Sequence, residues 1–346
     1  MMETYKDHLI LSGSSIEKAL FLLNKLSQDA IIFVVEEDLK LIGSLTDGDV
    51  RRGLLRGLNI KNDVNDIIEK NPKYIFYNEN NIQKAIDLRE NGFKIIPIVN
   101  KELKVINIIN FRKVKSYLPI DVVVMAGGKG KRLRPLTSVM PKPLLKVGEK
   151  SIIEHNLDRL SLFGVQNFWV SINYLGEQIE KHLDGNPKIK FIRENIPLGT
   201  IGAVSKIENF KNDYILVTNS DLLTNINYEH FFLEFIKQDA DFAVLTIPYQ
   251  VNIPYAVLET LNGEVKNFKE KPKYTYHSNG GVYIMKRKIL DFIPKNKFYN
   301  ATDLMEKLIQ NNSKIISFPF TGYWLDIGKH EDLEKAQKEI NTIDFQ

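Results

Sequence analysis

The order of apolar and polar positions divides the chain near Pro119. Ahead of it, residues 1–118 carry one pattern twice, an amphipathic helical stretch followed by a β-rich hairpin. In the first copy, Ser15–Leu26 sets Ile16, Leu20, Leu23 and Leu26 at helical spacing, with Ser14 or Ser15 placed to cap the helix. Ala30–Val35 reads as a strand, Glu36–Lys40 as a polar turn and Leu41–Leu45 as the return strand; Thr46-Asp47-Gly48-Asp49 then opens a second helix. In the second copy the helix is Ile82–Asn91, the strands are Lys94–Val99 and Val105–Ile109, and the turn is Asn100–Lys104. Asn110-Phe111-Arg112-Lys113-Val114 stands where the first copy has its Thr-Asp stretch. Pro119 forces an extended entry into the strand that begins the second domain.

From there the period changes. Val122-Val123-Val124-Met125 is a short apolar run, mostly β-branched, as in a strand buried on both faces. Further strands are expected at Asn167–Asn173, Lys188–Arg193 and Tyr214–Thr218, and helices at Ser151–Phe163, Gly176–Leu183 and Thr200–Ile207. This alternation predicts a doubly wound, mainly parallel α/β sheet over residues 119–346. Ligands of such sheets gather at the carboxyl ends of the strands. Gly127, Gly128 and Gly130 lie at one such end, and Asp221 lies at another.

Three glycines in four positions let the backbone approach an anion closely. Lys129, Lys131, Arg132, Arg134 and Lys142 lie within a short stretch, so strand, bare turn and cationic tail together describe a polyphosphate site. A Walker loop is excluded because Gly130 is followed by Lys131 and Arg132 instead of Lys and Ser/Thr. A dinucleotide fingerprint is excluded because its third glycine is missing. Asp221, beside this loop, could ligate Mg²⁺ or serve as a turn or capping residue.

Composition narrows the partners. The chain has 346 residues, 43% hydrophobic and 26% charged, a net charge of +4 and no cysteine. Its length suits two domains of an ordinary soluble protein. The mild, dispersed positive charge suits phosphate-rich small substrates without requiring nucleic acid. Disulfides and Cys-ligated metals are excluded. No apolar run reaches membrane-spanning length, and Met1–His8 lacks a signal-peptide core, so a cytoplasmic location is expected. His155, His182, His230, His277 and His330 show no ligand spacing.

Ala126-Gly127-Gly128-Lys129-Gly130-Lys131-Arg132-Leu133-Arg134-Pro135-Leu136-Thr137, followed by Pro141-Lys142-Pro143-Leu144, resembles the signature of the sugar-1-phosphate nucleotidyltransferases. The resemblance extends from about Ile120 to about Ile340. It implies nucleotide binding by Ala126, Gly127, Gly128 and Gly130, and by backbone at Leu198 and Gly199. Arg132 would hold the leaving phosphates and Lys142 the α-phosphate. Asp221 and the Asp326 of Tyr323-Trp324-Leu325-Asp326-Ile327-Gly328 would share Mg²⁺. Glu270 and Lys271, with Asn279 or Gly280, would bind the sugar phosphate. Ala256 stands where the family more often has Gly, which puts the form of the sugar pocket in doubt.

The two-fold pattern of residues 1–118 resembles a CBS domain pair. That resemblance implies a homo-oligomer and a candidate site for an adenine nucleotide at Thr46 and Asp49. The same two residues also suit the start of a helix. A CBS pair ahead of this catalytic domain resembles the glucosamine-1-phosphate guanylyltransferases of bacterial legionaminic acid synthesis. The expected reaction is therefore Mg²⁺-dependent transfer from a nucleoside triphosphate, first choice GTP, to a sugar-1-phosphate, first choice glucosamine-1-phosphate. Alternatives are a mannose- or heptose-phosphate guanylyltransferase and a uridylyl- or thymidylyltransferase for a hexose phosphate. A reading of another class is a non-catalytic, nucleotide-sensing scaffold.

Overall fold

A computed structural model of the chain describes residues 5–77 and 82–343. The start of the polar terminus read from Met1 to His8 lies outside the described residues. The chain forms two compact units, one running to Pro119 and the other starting at Ile120, with Leu162–Gly164 counted in the first. No helix among the described residues is long and apolar enough to cross a membrane.

Each half of the first unit is a three-stranded sheet with a helix. Leu9–Leu11 lies parallel to Ile31–Val35, which pairs antiparallel with Leu41–Thr46. Ile75–Phe76, Ile95–Val99 and Val105–Asn110 repeat that arrangement, including a register shift at the equivalent place. The leading strand of each half is too short to leave a period in the sequence. The helix Ile16–Leu26 begins at Ser15, whose side chain accepts from the Lys18 N–H at 3.3 Å. It buries Ile16, Ala19, Leu23 and Leu26. The two hairpin tips lock together, Leu41 N–H donating to the Leu103 carbonyl and Val105 N–H to that of Leu39, both at 2.9 Å.

The second unit is built on a seven-stranded sheet. Its order is Ile189–Arg193, Asn167–Ile172, Ile120–Met125, Tyr214–Asn219, Lys273–Lys286, Phe242–Asn252, Ile315–Pro319. Only Lys273–Lys286 runs antiparallel to its neighbours. Val122, Val123 and Val124 are fully buried at the centre, each contributing about 1.5–3 kcal/mol by burial. The helices Ile152–Leu162 and Gly176–Leu183 stand where the periodicity puts them.

The helix expected over Thr200–Ile207 is a turn followed by a 3₁₀ segment, Gly202–Lys206. The N–H groups of Ile201 and Gly202 donate to the Tyr299 carbonyl. These N–H groups belong to the first turn, where a helix offers them no partner, so they fasten the segment to Tyr299, a contact that the local period could not register. Beyond the sheet, the long strands continue as an exposed arm carrying the hairpin Val257–Leu261/Glu264–Lys269.

Candidate active site

The carboxyl ends of Ile120–Met125 and Tyr214–Asn219 open into a cavity of about 460 Å³. Gly127, Gly128, Gly130, Lys131, Arg132 and Lys142 line one side of it. Each glycine has its own reason. A side chain on Gly128 would meet nothing within 4 Å, so that backbone is bare toward the cavity. Gly130 has φ +57°, and a Cβ there would come within 2.9 Å of Thr137 Cγ2. Ala126 does not line the cavity: it is buried and its N–H donates to the Ser171 carbonyl at 2.8 Å. Its place in the motif anchors the loop to the sheet.

Lys142 occupies the centre. It follows Pro141 at the start of a 3₁₀ turn, and its side chain is only 9% exposed. Its ammonium hydrogen-bonds an Asp221 carboxylate oxygen and lies 3.5 Å from Asp326 Oδ1. Residues distant in sequence reach one ammonium because Leu222–Thr224 pairs antiparallel with Trp324–Asp326, with Leu222 opposite Asp326. The Ile327 N–H closes that ladder on the Asp221 carbonyl at 3.1 Å. Arg132 adds a second cation, Nη2 lying 3.9 Å from Asp326 Oδ2. Gly328 accommodates that guanidinium, since a Cβ there would meet Arg132 Nη2 at 2.8 Å.

The donor set suits a divalent cation. Asp221 Oδ1 and Asp326 Oδ1 are buried oxygens with no hydrogen-bond partner. Burial, then the charge of Asp221, pushes the Asp326 carboxyl above the usual aspartate range, with Lys142 and Arg132 pulling the other way. Two crowded carboxylates with unspent lone pairs fit a hard cation. No group of three or more His, Asp or Glu suited to a metal occurs among the described residues. Two carboxylates are enough for a hard divalent cation whose shell substrate phosphates and water complete.

The opposite wall contains residues that the sequence did not single out. Glu194 is 7% exposed; its carboxylate accepts from the Ser171 hydroxyl and, at 2.9 Å, from the Leu198 N–H. A Cβ on Gly127 would come within 3.0 Å of Glu194 Oε1, so loop and carboxylate are in close contact. Leu198 and Gly199 line the same wall, beside Phe298 and Asn300. Gly199, at φ +78°, has no room for a side chain against the Tyr299 carbonyl. A lone Glu after a strand, or a Phe in a loop, carries no local signature. Asn300 could have been noticed as a helix cap, because its N–H donates to Asp303 Oδ2 at 2.8 Å.

The residues expected to bind the sugar phosphate are not part of this lining. Glu270 and Lys271 are exposed at the root of the Val257–Lys269 hairpin. Asn279 is exposed, and its Oδ1 accepts from two groups of its own strand, the Gly281 N–H at 2.9 Å and the Tyr283 hydroxyl at 3.0 Å. Gly280 is buried, its carbonyl accepting from Trp324 Nε1 at 2.9 Å. In the first unit, Thr46 and Asp49 bond each other. The Thr46 N–H and hydroxyl donate to Asp49 Oδ2 at 2.8 and 2.6 Å, closing the start of the helix Asp47–Leu55.

A CBS domain model matches residues 8–56. The bifunctional protein GlmU of Methanocaldococcus jannaschii is 31% identical over 234 residues, 64% of this chain and 56% of that protein. The chain thus spans little more than half the length of such relatives. The D-glycero-α-D-manno-heptose 1-phosphate guanylyltransferase of Aneurinibacillus thermoaerophilus is 31% identical over 64% of this chain and 98% of its own length. A Bacillus anthracis protein crystallised with sucrose has the same fold, with a TM-score of 0.52, 20% identity, and 66% of this chain and 97% of that one covered. The nucleotidyl transferase family model matches residues 121–343, which include the glycine loop, Lys142 and both aspartates, and the chain belongs to that family.

Proposed function

We propose that the protein transfers GMP from GTP to a sugar-1-phosphate, releasing pyrophosphate. The observation that carries this reading is the cleft in which the glycine loop, Arg132 and Lys142 meet Asp221, with Asp326 beside it at 3.5 Å from the Lys142 ammonium. A sugar-phosphate oxygen attacks the α-phosphorus, the bond from that phosphorus to the bridging β-oxygen breaks, and its electrons leave with pyrophosphate. The nucleophile is already an anion, so no general base is required. Loop N–H groups and Arg132 hold the β- and γ-phosphates, and Lys142 meets charge developing at the α-phosphate. A divalent ion held by Asp221 and Asp326 would supply charge neutralisation between the two phosphates. A non-catalytic scaffold would have no use for this convergence.

Guanine is favoured by Glu194. Its carboxylate forms part of the cleft wall, and each oxygen keeps an acceptor site beyond its present bond. Guanine offers adjacent N–H donors on its pairing edge, whereas uracil and thymine place carbonyl oxygens beside their single donor. The relationship to a heptose-phosphate guanylyltransferase points the same way. Glucosamine-1-phosphate, and with it a role in legionaminic acid synthesis, is the first choice of sugar on the resemblance of the two-part architecture. A heptose or mannose phosphate is the alternative. Glu270, Lys271, Asn279 and Gly280 are proposed for the sugar phosphate, which would bind beyond the nucleotide on the side of Trp324. In this reading the reaction would run in the cytoplasm, since it consumes a nucleoside triphosphate, and the CBS-like unit would assemble a homo-oligomer.

A pyrophosphate-release assay crossing four nucleoside triphosphates with a panel of sugar-1-phosphates and Mg²⁺ tests the proposal. GTP with glucosamine-1-phosphate is expected to give the highest kcat/KM. Release with no pair would end the enzymatic reading, and preference for UTP or dTTP would end the guanine assignment.

A further inference from the structure

A second cavity, of about 420 Å³, lies within the first unit. Its floor is apolar, formed by Leu41 and Leu103 where the hairpin tips lock. Lys70, Lys73 and Lys84 stand around it, the first two on the connector between the repeats and the third on the helix Ile82–Glu90. No carboxylate lines the cavity among the described residues. Glu69, next to Lys70 in the chain, turns its side chain onto the Asn71 N–H at 3.0 Å. None of the three lysines has an ion-pair partner among the described residues. Lys25, Lys61 and Lys104 of the same unit each have one, at 2.7–3.0 Å. Lys84 instead lies 4.9 Å from the centre of the Tyr74 ring, which also borders the cavity.

We propose that this cavity binds a di- or triphosphate through Lys70, Lys73 and Lys84. Three ammoniums over one concavity, with no ion-pair partner among the described residues, create a positive potential that an anion of two or more charges relieves more than a chloride can. Lysine meets phosphate as a point charge and needs no forked geometry. The cavity is of ligand size, and its floor is held by backbone hydrogen bonds, so the site is largely pre-formed. It is separate from the Thr46 and Asp49 position. Leu41 and Thr46 are the two ends of one strand, about 16 Å apart at ~3.3 Å per residue.

Calorimetric titration of the full chain, without Mg²⁺ or sugar phosphate, tests this with two probes. Pyrophosphate reports phosphate recognition alone, and ADP adds a nucleoside that the apolar floor could receive. Lys70→Glu/Lys73→Glu is expected to weaken one class of sites for at least one probe about tenfold or more, with unchanged Tm and unchanged pyrophosphate release in the catalytic assay. Lys84→Gln, which removes the ammonium and leaves a neutral polar side chain, should weaken the same class. Arg132→Ala should retain that class and lose the other, which separates this cavity from the catalytic cleft. Isotherms of both lysine variants that overlay the wild type, or a single class of sites abolished by Arg132→Ala, would overturn the proposal.

Discussion

At the scale of the residue, the proposed reaction would give Lys142 two jobs in sequence. Without substrate its ammonium is the counter-ion of Asp221 and Asp326. With nucleotide bound, it would turn toward the α-phosphate. Lys142→Ala is therefore expected to lower kcat on the order of 100-fold, the scale of losing one donor to developing charge. The same substitution should tighten nucleotide-free Mn²⁺ binding, measured by electron paramagnetic resonance, because the two carboxylates lose the ammonium that sits between them. Near-wild-type turnover would remove Lys142 from the mechanism. Glu194→Gln tests the base: the ratio of kcat/KM for GTP over UTP is expected to fall by about 100-fold, the upper scale of one hydrogen bond to a charged group. Loosening of the Leu198 loop alone would lower both rates and leave the ratio in place.

At the scale of the element, the short ladder between Leu222–Thr224 and Trp324–Asp326 does the joining. One of its strands carries Asp326 and also anchors the strand Lys273–Lys286, through the Trp324 indole N–H on the Gly280 carbonyl. Trp324→Phe keeps an aromatic ring and deletes the donor, a loss of about 1 kcal/mol. The expected result is a roughly fivefold rise in KM for the sugar phosphate with KM for GTP unchanged; an equal rise in both would reduce Trp324 to a general packing role. In the first unit, the Thr46–Asp49 pair closes a helix. Thr46→Ala should cost about 1 kcal/mol in urea unfolding. If ATP and AMP leave the wild-type Tm unchanged, the adenine-nucleotide reading of Thr46 and Asp49 is lost. Elements of strong period were legible in advance, down to Gly176–Leu183. Thr200–Ile207 was not, because the segment is fastened to Tyr299, far along the chain, and a local period does not record such a contact.

At the scale of the molecule, two units of different architecture share one chain. Each arises from a different pattern: a repeated helix and hairpin before Pro119, and alternating strands and helices after it. The exposed arm, with Leu258, Leu261, Val265 and Phe268 each more than half exposed, has no counterpart in that alternation. Light scattering on the full chain tests the expected homo-oligomer, and a strictly monomeric mass across the concentration range would remove it.

The sequence alone determined what depends on neighbours along the chain: the buried central strand, the glycine turn that only bare backbone can make, and the doubling of the N-terminal pattern. Only the tertiary structure decided what depends on register between distant strands. It brought Asp326 to Asp221 through a three-residue ladder, put Glu194, Phe298 and Asn300 into the cleft wall, set Ala126 behind it, and left Glu270 and Lys271 outside the lining. Local periodicity reports which face of an element is buried; it says nothing of which distant side chain that element will meet, because pairing register and loop closure are settled by packing across the whole sheet.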